Sequence, residues 1–167
     1  MKKYITILFS AVLTLSVFSC TKKADVAATE PNLPAIALSS FGTQQISPFT
    51  VSSATVTFNF GATTTGATPA NFKLEFFAAT TVTGTAVKTV NFPTWSGSDD
   101  GGNGATIGFT LEPTSYPNTQ VYGGAITVKL SSLGLVAGKT YSVRASAYSA
   151  GNAVPVTFSQ NAFFKTI

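Results

Sequence analysis

The chain offers few side chains that could carry out catalysis. It contains no histidine and one cysteine, Cys20, so the sequence has no imidazole base and no Cys/His metal cluster. The acidic residues of its central part are Glu75, Asp99, Asp100 and Glu112. These carboxylates show no pairing typical of glycoside hydrolases, and phosphate-binding and nucleophile-elbow motifs are also missing. We therefore expect a protein that is not an enzyme.

A glycine-rich stretch over 96–104 holds the kind of oxygen ligand that calcium prefers. Asp99, Asp100 and Asn103 lie in it, and backbone carbonyls and water would have to complete a shell of about six to eight donors. The spacing fits neither an EF-hand loop nor a Gly-Asp nonapeptide repeat. The sequence therefore favours a flexible polar hairpin connection, with calcium binding as the alternative and no other cofactor expected.

Three aromatic residues of the same region are candidates for ligand binding. Trp95, Tyr116 and Tyr122 could form a platform on which sugar rings stack. The alternative is that Trp95, the only tryptophan, closes one end of the domain core. A glycan is therefore a candidate ligand only if the indole is exposed.

The chain begins with a segment typical of an export signal. Lys2 and Lys3 supply a positive start, and the apolar run over 5–18 is shorter than the roughly 20 residues of a membrane span. This pattern favours a cleaved signal over a permanent membrane helix. A cleaved signal places the rest of the chain outside the cytoplasm.

The end of this signal, Val17-Phe18-Ser19-Cys20, resembles the lipobox of bacterial lipoproteins. Val17, Ser19 and Cys20 match the lipobox pattern, whereas Phe18 is bulkier than the usual residue. The resemblance implies that residues 1–19 are removed and that Cys20 becomes the first mature residue, carrying diacylglycerol and a further acyl chain such as palmitate. Ordinary secretion with an incidental cysteine, and a retained helix, are the alternatives. Thr21 replaces the aspartate that commonly retains such proteins in an inner membrane, which favours the outer membrane, on its surface or periplasmic face.

Charge and composition limit the partners of the mature chain. The net charge is +4, and loss of the two signal-peptide lysines lowers it to +2, too little to favour nucleic acid. Residues 20–34 form the lipidated cysteine and a proline-containing tether without an apolar period. We therefore expect contact with the membrane through the lipid, and with another envelope protein or a glycan through the domain.

From Ala35 onward, apolar and polar residues alternate, and glycine or proline recurs about every ten residues. This pattern predicts an all-β antiparallel sandwich over 35–167, with Phe77 and Tyr148 outward and Arg144 near Glu75. The last strand is expected near 154–164, with Pro155 on a sheet edge. The residues expected to alternate on inner faces are Val56, Phe58 and Phe60; Phe72, Leu74 and Phe76; Ile107, Phe109 and Leu111; Ile126, Val128 and Leu130; and Tyr141, Val143, Ala145 and Ala147.

The segment over 135–151, LVAGKTYSVRASAYSAG, resembles the end of a fibronectin type III domain. Leu135 lies six residues before Tyr141, with Gly138 between them, which is the spacing of a tyrosine corner. The resemblance implies an immunoglobulin-like sandwich used for interaction, adhesion or structure. Phe58 stands where that family usually has tryptophan and Ala137 where it often has proline. A segment of about 93–124 is longer than the family's usual connection and is expected to be an insertion.

Overall fold

Nine β-strands make up the part of the chain that the computed structural model describes, residues 35–150 and 160–167. The chain divides into the units Met1–Asn32 and Leu33–Ile167, and every described residue belongs to the second. The expected signal peptide, Cys20, the tether and Pro155 lie outside the described residues. The strands are β1 (Ala35–Thr43), β2 (Thr55–Thr65), β3 (Pro69–Phe77), β4 (Lys88–Phe92), β5 (Gly97–Ser98), β6 (Thr106–Glu112), β7 (Thr119–Lys129), β8 (Thr140–Ser149) and β9 (Gln160–Lys165).

The strands form two antiparallel sheets. One has the order β1-β2-β7-β6-β5 and the other β4-β3-β8-β9. If β1, β2, β3, β4, β6, β7, β8 and β9 are named A, B, C, C′, D, E, F and G, the sheets are ABED and C′CFG, as in immunoglobulin-like sandwiches. The expected all-β, fibronectin type III-like sandwich is therefore confirmed. Within the described residues, no helix is long and apolar enough to cross a membrane.

The core lies between the inner faces of the two sheets, as the alternating sequence pattern requires. In β2, Val56, Phe58 and Phe60 are buried, while Thr55 and Asn59 between and beside them are exposed. Side chains alternate in this way because successive residues of a strand point to opposite faces. Inward-facing residues of β3, β7 and β8 complete the core in the same manner.

The segment expected as an insertion, about 93–124, is largely part of a sheet. It contains β5, β6 and the first six residues of β7, which begins at Thr119. A Gly-Gly pair such as Gly123-Gly124 is typical of a turn, but these two residues pair with Gly61 and Phe60 of β2. The connection between β4 and β7 is therefore 93–118, and we use "the insertion" for these residues.

The inner face of β6 is only partly covered, contrary to the simple alternation expected there. Ile107 is 4% exposed, whereas Phe109 and Leu111 are 39% and 58% exposed. The strand β6 lies near one edge of its sheet, and β4, the edge strand of the other sheet, has only five residues. A strand so near the edge of a sandwich is covered less completely than the central strands, which leaves Phe109 and Leu111 partly exposed.

Candidate functional site

The three aromatic residues expected as a sugar-binding platform do not form one. Trp95 and Tyr122 are 2% and 4% exposed, while Tyr116 is 74% exposed. The ring planes of Trp95 and Tyr122 meet at 68° with their centroids 5.2 Å apart, in an edge-to-face contact typical of protein cores. The platform prediction was wrong, and the alternative, in which Trp95 belongs to the core, is confirmed.

Trp95 lies in a cluster of rings that joins the insertion to the core. Its indole makes edge contacts with Phe60 and Phe72, at centroid distances of 5.7 and 5.6 Å. Phe109 of β6 extends the cluster by an edge contact with Tyr122 at 5.1 Å. The buried Nε1 of Trp95 has no hydrogen-bond acceptor among the described residues. Aromatic packing, not a polar contact, therefore holds this side chain.

Gly124 provides the space that one of these rings occupies. The residue pairs with Phe60 on one side and with Phe109 on the other. A Cβ atom at Gly124 would lie 2.2 Å from Phe60 Cζ and 2.8 Å from the carbonyl oxygen of Gly108. The absence of a side chain in the middle of β7 thus allows the Phe60 ring to lie against the strand.

The calcium candidates Asp99 and Asn103 form a closed turn. The carboxylate of Asp99 accepts hydrogen bonds from the backbone and side-chain N–H groups of Asn103, both at 2.8 Å, and from the backbone N–H of Ala105 at 2.9 Å. Gly102 and Gly104 supply the positive φ angles, 64° and 68°, that the tight path of the chain needs. The buried carboxylate therefore holds the loop by accepting N–H bonds.

The electrostatics of Asp99 follow from these donors. Burial alone would raise the pKa of this carboxyl, but the N–H groups of Asn103 and Ala105 stabilise the charged form more strongly, so the pKa lies below the ordinary value of 3.8. Asp99 is thus a permanently charged structural acceptor at neutral pH.

Asp100 fastens the same turn to β4. Its Oδ2 accepts a hydrogen bond from Asn91 Nδ2 at 2.6 Å, and its backbone N–H donates to the Asn91 carbonyl at 3.0 Å. In the described part of the chain, no group of three or more His, Cys, Asp or Glu residues could hold a metal ion. Through their hydrogen bonds, Asp99 and Asp100 hold the turn of the insertion.

Tyr141 lies at the start of β8 in the geometry of a tyrosine corner. Its hydroxyl oxygen accepts a 2.8 Å hydrogen bond from the backbone N–H of Val136, while its ring stacks on Phe164 at 5.7 Å. Leu135 is buried beside this corner, and Gly138 adopts a φ of 76°. The corner fixes the chain where it crosses from one sheet to the other.

A residue that the sequence did not single out completes the corner. The hydroxyl of Thr166, fully buried, donates to the carbonyl of Val136 at 2.8 Å and accepts from the N–H of Lys139 at 3.1 Å. Sequence spacing relates Thr166 to no motif. It is brought into place by the pairing of β9 with β8.

Charged residues on the outer face of the second sheet form an ion-pair cluster. Arg144 and Glu75 are direct cross-strand partners, and Arg144 Nη2 lies 2.8 Å from Glu75 Oε2. Lys73 Nζ lies 3.5 Å from Glu75 Oε1 and 5.7 Å from the ring centroid of Tyr148. Burial would lower the pKa of Lys73, but bonding to Tyr148 and the charge of Glu75 raise it overall. The expected proximity of Arg144 and Glu75 is confirmed.

Phe77 faces outward, as expected, but other groups on that face cover it. Phe77 is 2% exposed although it follows an inward-facing residue, Phe76, in β3. The guanidinium of Arg144 lies 5.1 Å from the Phe77 ring centroid, which is a cation–π contact. A nearby loop is also held to the outer face, because the hydroxyl of Ser142 donates to the carbonyl of Ala79. Alternation predicts the face of a strand but not what covers it.

Comparisons with known proteins show a distant structural likeness. No protein-family model matches the chain, and no curated protein matches it. A solved structure of Astrotactin-2, described as a conserved vertebrate-specific and perforin-like membrane protein involved in neuronal development, is similar with a TM-score of 0.44 and 15% identity. The match covers 80% of this chain and 21% of that one, so this chain spans about a fifth of the length of Astrotactin-2 in that structure.

Proposed function

We propose that the chain is a non-enzymatic lipoprotein of a bacterial envelope, anchored in the outer membrane through lipid on Cys20. The observation that carries this proposal is the segment Met1–Cys20, in which a basic start, an apolar run and a lipobox-like end lead to the only cysteine. The sandwich domain acts in this proposal as an interaction, adhesion or structural module.

The physical chemistry of lipid anchors supports this assignment. Each buried CH₂ group contributes about 0.8 kcal/mol, and a single acyl chain gives only reversible attachment. A diacylglycerol on the thiol and an acyl chain on the new amino terminus together hold a protein durably in a bilayer. The tether over 21–34, if fully extended, reaches on the order of 45 Å at ~3.3 Å per residue. Such a reach allows the domain to meet another envelope protein.

The use of the polar side chains in the domain supports a role other than catalysis. Asp99 closes a turn, Asp100 bonds to Asn91, and Glu75 pairs with Arg144. General acid–base catalysis needs a carboxyl or amine that can reach a substrate and exchange a proton. These carboxylates instead serve the fold, which favours a module that acts through its surface.

Metabolic labelling with an alkyne analogue of palmitate tests the anchor. We expect the wild-type protein to be labelled and to sediment with membranes, and Cys20→Ser to lose the label and to enter the soluble fraction. The matched control is Thr21→Ser, which changes the neighbouring residue and should keep both properties. Labelling of Cys20→Ser at the wild-type level would show that the lipid is attached to another residue.

A further inference from the structure

Within the described residues, the outer edge of β6 is open over most of its length. The two residues of β5 pair only with Thr106 and Ile107. Over 108–112 the strand is bonded to β7 on one side, and no described strand pairs with it on the other. An unpaired strand edge carries a row of free backbone donors and acceptors, which is a template for another strand.

The other sheet edges in the described part of the chain are interrupted or covered. The edge strand β1 changes register between Leu38 and Ser40, and Asp100 donates its N–H to Asn91 on the edge of β4. The end of β9 bonds to Phe49, whose N–H donates to the Lys165 carbonyl at 2.8 Å. Bulges and covering segments are common devices against edge-to-edge pairing. Over 108–112, the edge of β6 has neither a register change nor a covering segment among the described residues.

The direction of the free backbone groups follows from the neighbouring turn. Asp99 donates its N–H to the carbonyl of Ala105 at 3.0 Å, so the backbone groups of Ala105 point away from β7. Backbone groups alternate in direction along a strand, and the register with β7 is regular from Thr106 to Glu112. The N–H and C=O groups of Phe109 and Leu111 therefore point to the open edge.

We propose that β6 pairs in antiparallel fashion with β6 of a second copy of this chain, around a two-fold axis at Thr110. Phe109 of each copy then lies opposite Leu111 of the other, and each such pair exchanges two N–H···O=C hydrogen bonds. The sheet β1-β2-β7-β6 continues across the axis into its copy. This pairing is independent of the lipid anchor and can be tested without it.

The edge is complementary to itself in this register. It brings together the two partly exposed apolar side chains, Phe109 and Leu111, and it places Glu112 opposite Gly108. The two Glu112 carboxylates are then separated by four residues, or about 13 Å along the strands, so like charges do not meet. This self-complementarity favours a second copy over an unrelated strand.

Neighbouring registers with the same faces aligned are less favourable. A two-fold axis at Phe109 would pair Ile107 with Leu111 of the other copy. The backbone groups of Ile107 are not free for this pairing, because they already face β5. An axis at Leu111 would place Pro113 opposite Phe109, and proline has no N–H to donate. The axis at Thr110 avoids both conflicts.

A disulfide across the axis tests the pairing directly. In the full chain carrying Cys20→Ala, we expect Thr110→Cys to form a disulfide-linked dimer on mild oxidation, because facing residues of a non-hydrogen-bonded pair have Cα atoms about 4.5 Å apart. The matched control is Thr106→Cys, an exposed threonine on the same face of the same strand. The two residues at this position would be about 26 Å apart and should not be linked.

A second pair of variants separates specific pairing from general aggregation. Lysine on an edge strand opposes strand addition, so Leu111→Lys should weaken concentration-dependent self-association in sedimentation experiments by about tenfold or more. Val136→Lys replaces another apolar residue that is 58% exposed, as Leu111 is, and should leave association unchanged. Two results would overturn the proposal. One is equal disulfide linking of the two cysteine variants. The other is the absence of a dimer from Thr110→Cys, which would mean that the edge binds a different protein or nothing.

Discussion

The backbone of Gly124 lies against the ring of Phe60, and one added methyl group there tests how closely the core is packed where it meets the insertion. In Gly124→Ala the new Cβ would lie 2.2 and 2.4 Å from two ring carbons of Phe60. Favourable carbon–carbon contacts lie at about 3.5 to 4.0 Å, so the ring would have to move by more than about 1 Å. Phe72 and Trp95, with centroids at 4.9 and 5.7 Å, restrict that movement.

We expect Gly124→Ala to lower the free energy of unfolding by about 2 kcal/mol, within the usual range for overpacking a core. The matched control is Gly108→Ala on the adjacent strand, because a Cβ at Gly108 has no atom within 4 Å. Alanine restricts the unfolded chain more than glycine does, so Gly108→Ala should be neutral or stabilising by about 0.5 kcal/mol.

Urea unfolding followed by circular dichroism measures both effects. With a slope of about 2 kcal/mol per molar urea, the midpoint for Gly124→Ala should fall by about 1 M, and that for Gly108→Ala should not fall. Equal midpoints for the two variants would refute the close approach of Phe60 to β7.

Two further changes test single hydrogen-bonded groups of the domain. Tyr141→Phe should lower the free energy of unfolding by about 1 to 3 kcal/mol, since it leaves the N–H of Val136 without its acceptor. The control is Tyr116→Phe, which changes an exposed ring. An equal loss of stability in both variants would contradict the tyrosine corner. Because the pKa of Asp99 is lowered in the folded state, its stabilisation is complete above the unfolded pKa of about 4 and is lost as the pH falls through the folded value. The stability difference between wild type and Asp99→Asn, measured by denaturant unfolding, should be about 2 kcal/mol near neutral pH and should shrink as the pH falls below the lowered pKa of Asp99. A difference that is independent of pH, or one that Glu112→Gln reproduces, would contradict the charged turn.

The alternating strands and the corner were predictable because their signals are local. Val56, Phe58 and Phe60 share a face through a spacing of two residues, and Tyr141 follows Leu135 at a spacing that the corner geometry itself requires. The proximity of Arg144 and Glu75 was predictable from the antiparallel pairing of two such strands. Each of these inferences needs only the geometry of one strand or of one strand pair.

The remaining features depend on contacts between distant parts of the chain. Trp95 and Tyr122 lie in a glycine-rich context typical of loops, and only the approach of Phe60 and Phe72 buries the indole. From the sequence alone, Gly124 is typical of a turn, and only the structure shows that it pairs with Phe60 within a strand. Leu111 alternates like a core residue, yet nothing in its own strand indicates how near that strand lies to the edge of the sandwich.

Mass spectrometry of the amino-terminal peptide of the mature protein, purified from its native membrane, tests the proposed anchor most directly. We predict that the mature chain begins at Cys20 and that this residue carries the mass of a diacylglyceryl group with a further acyl chain on its amino group. A mature chain that begins at another residue, or a Cys20 with a free thiol, would contradict the proposal.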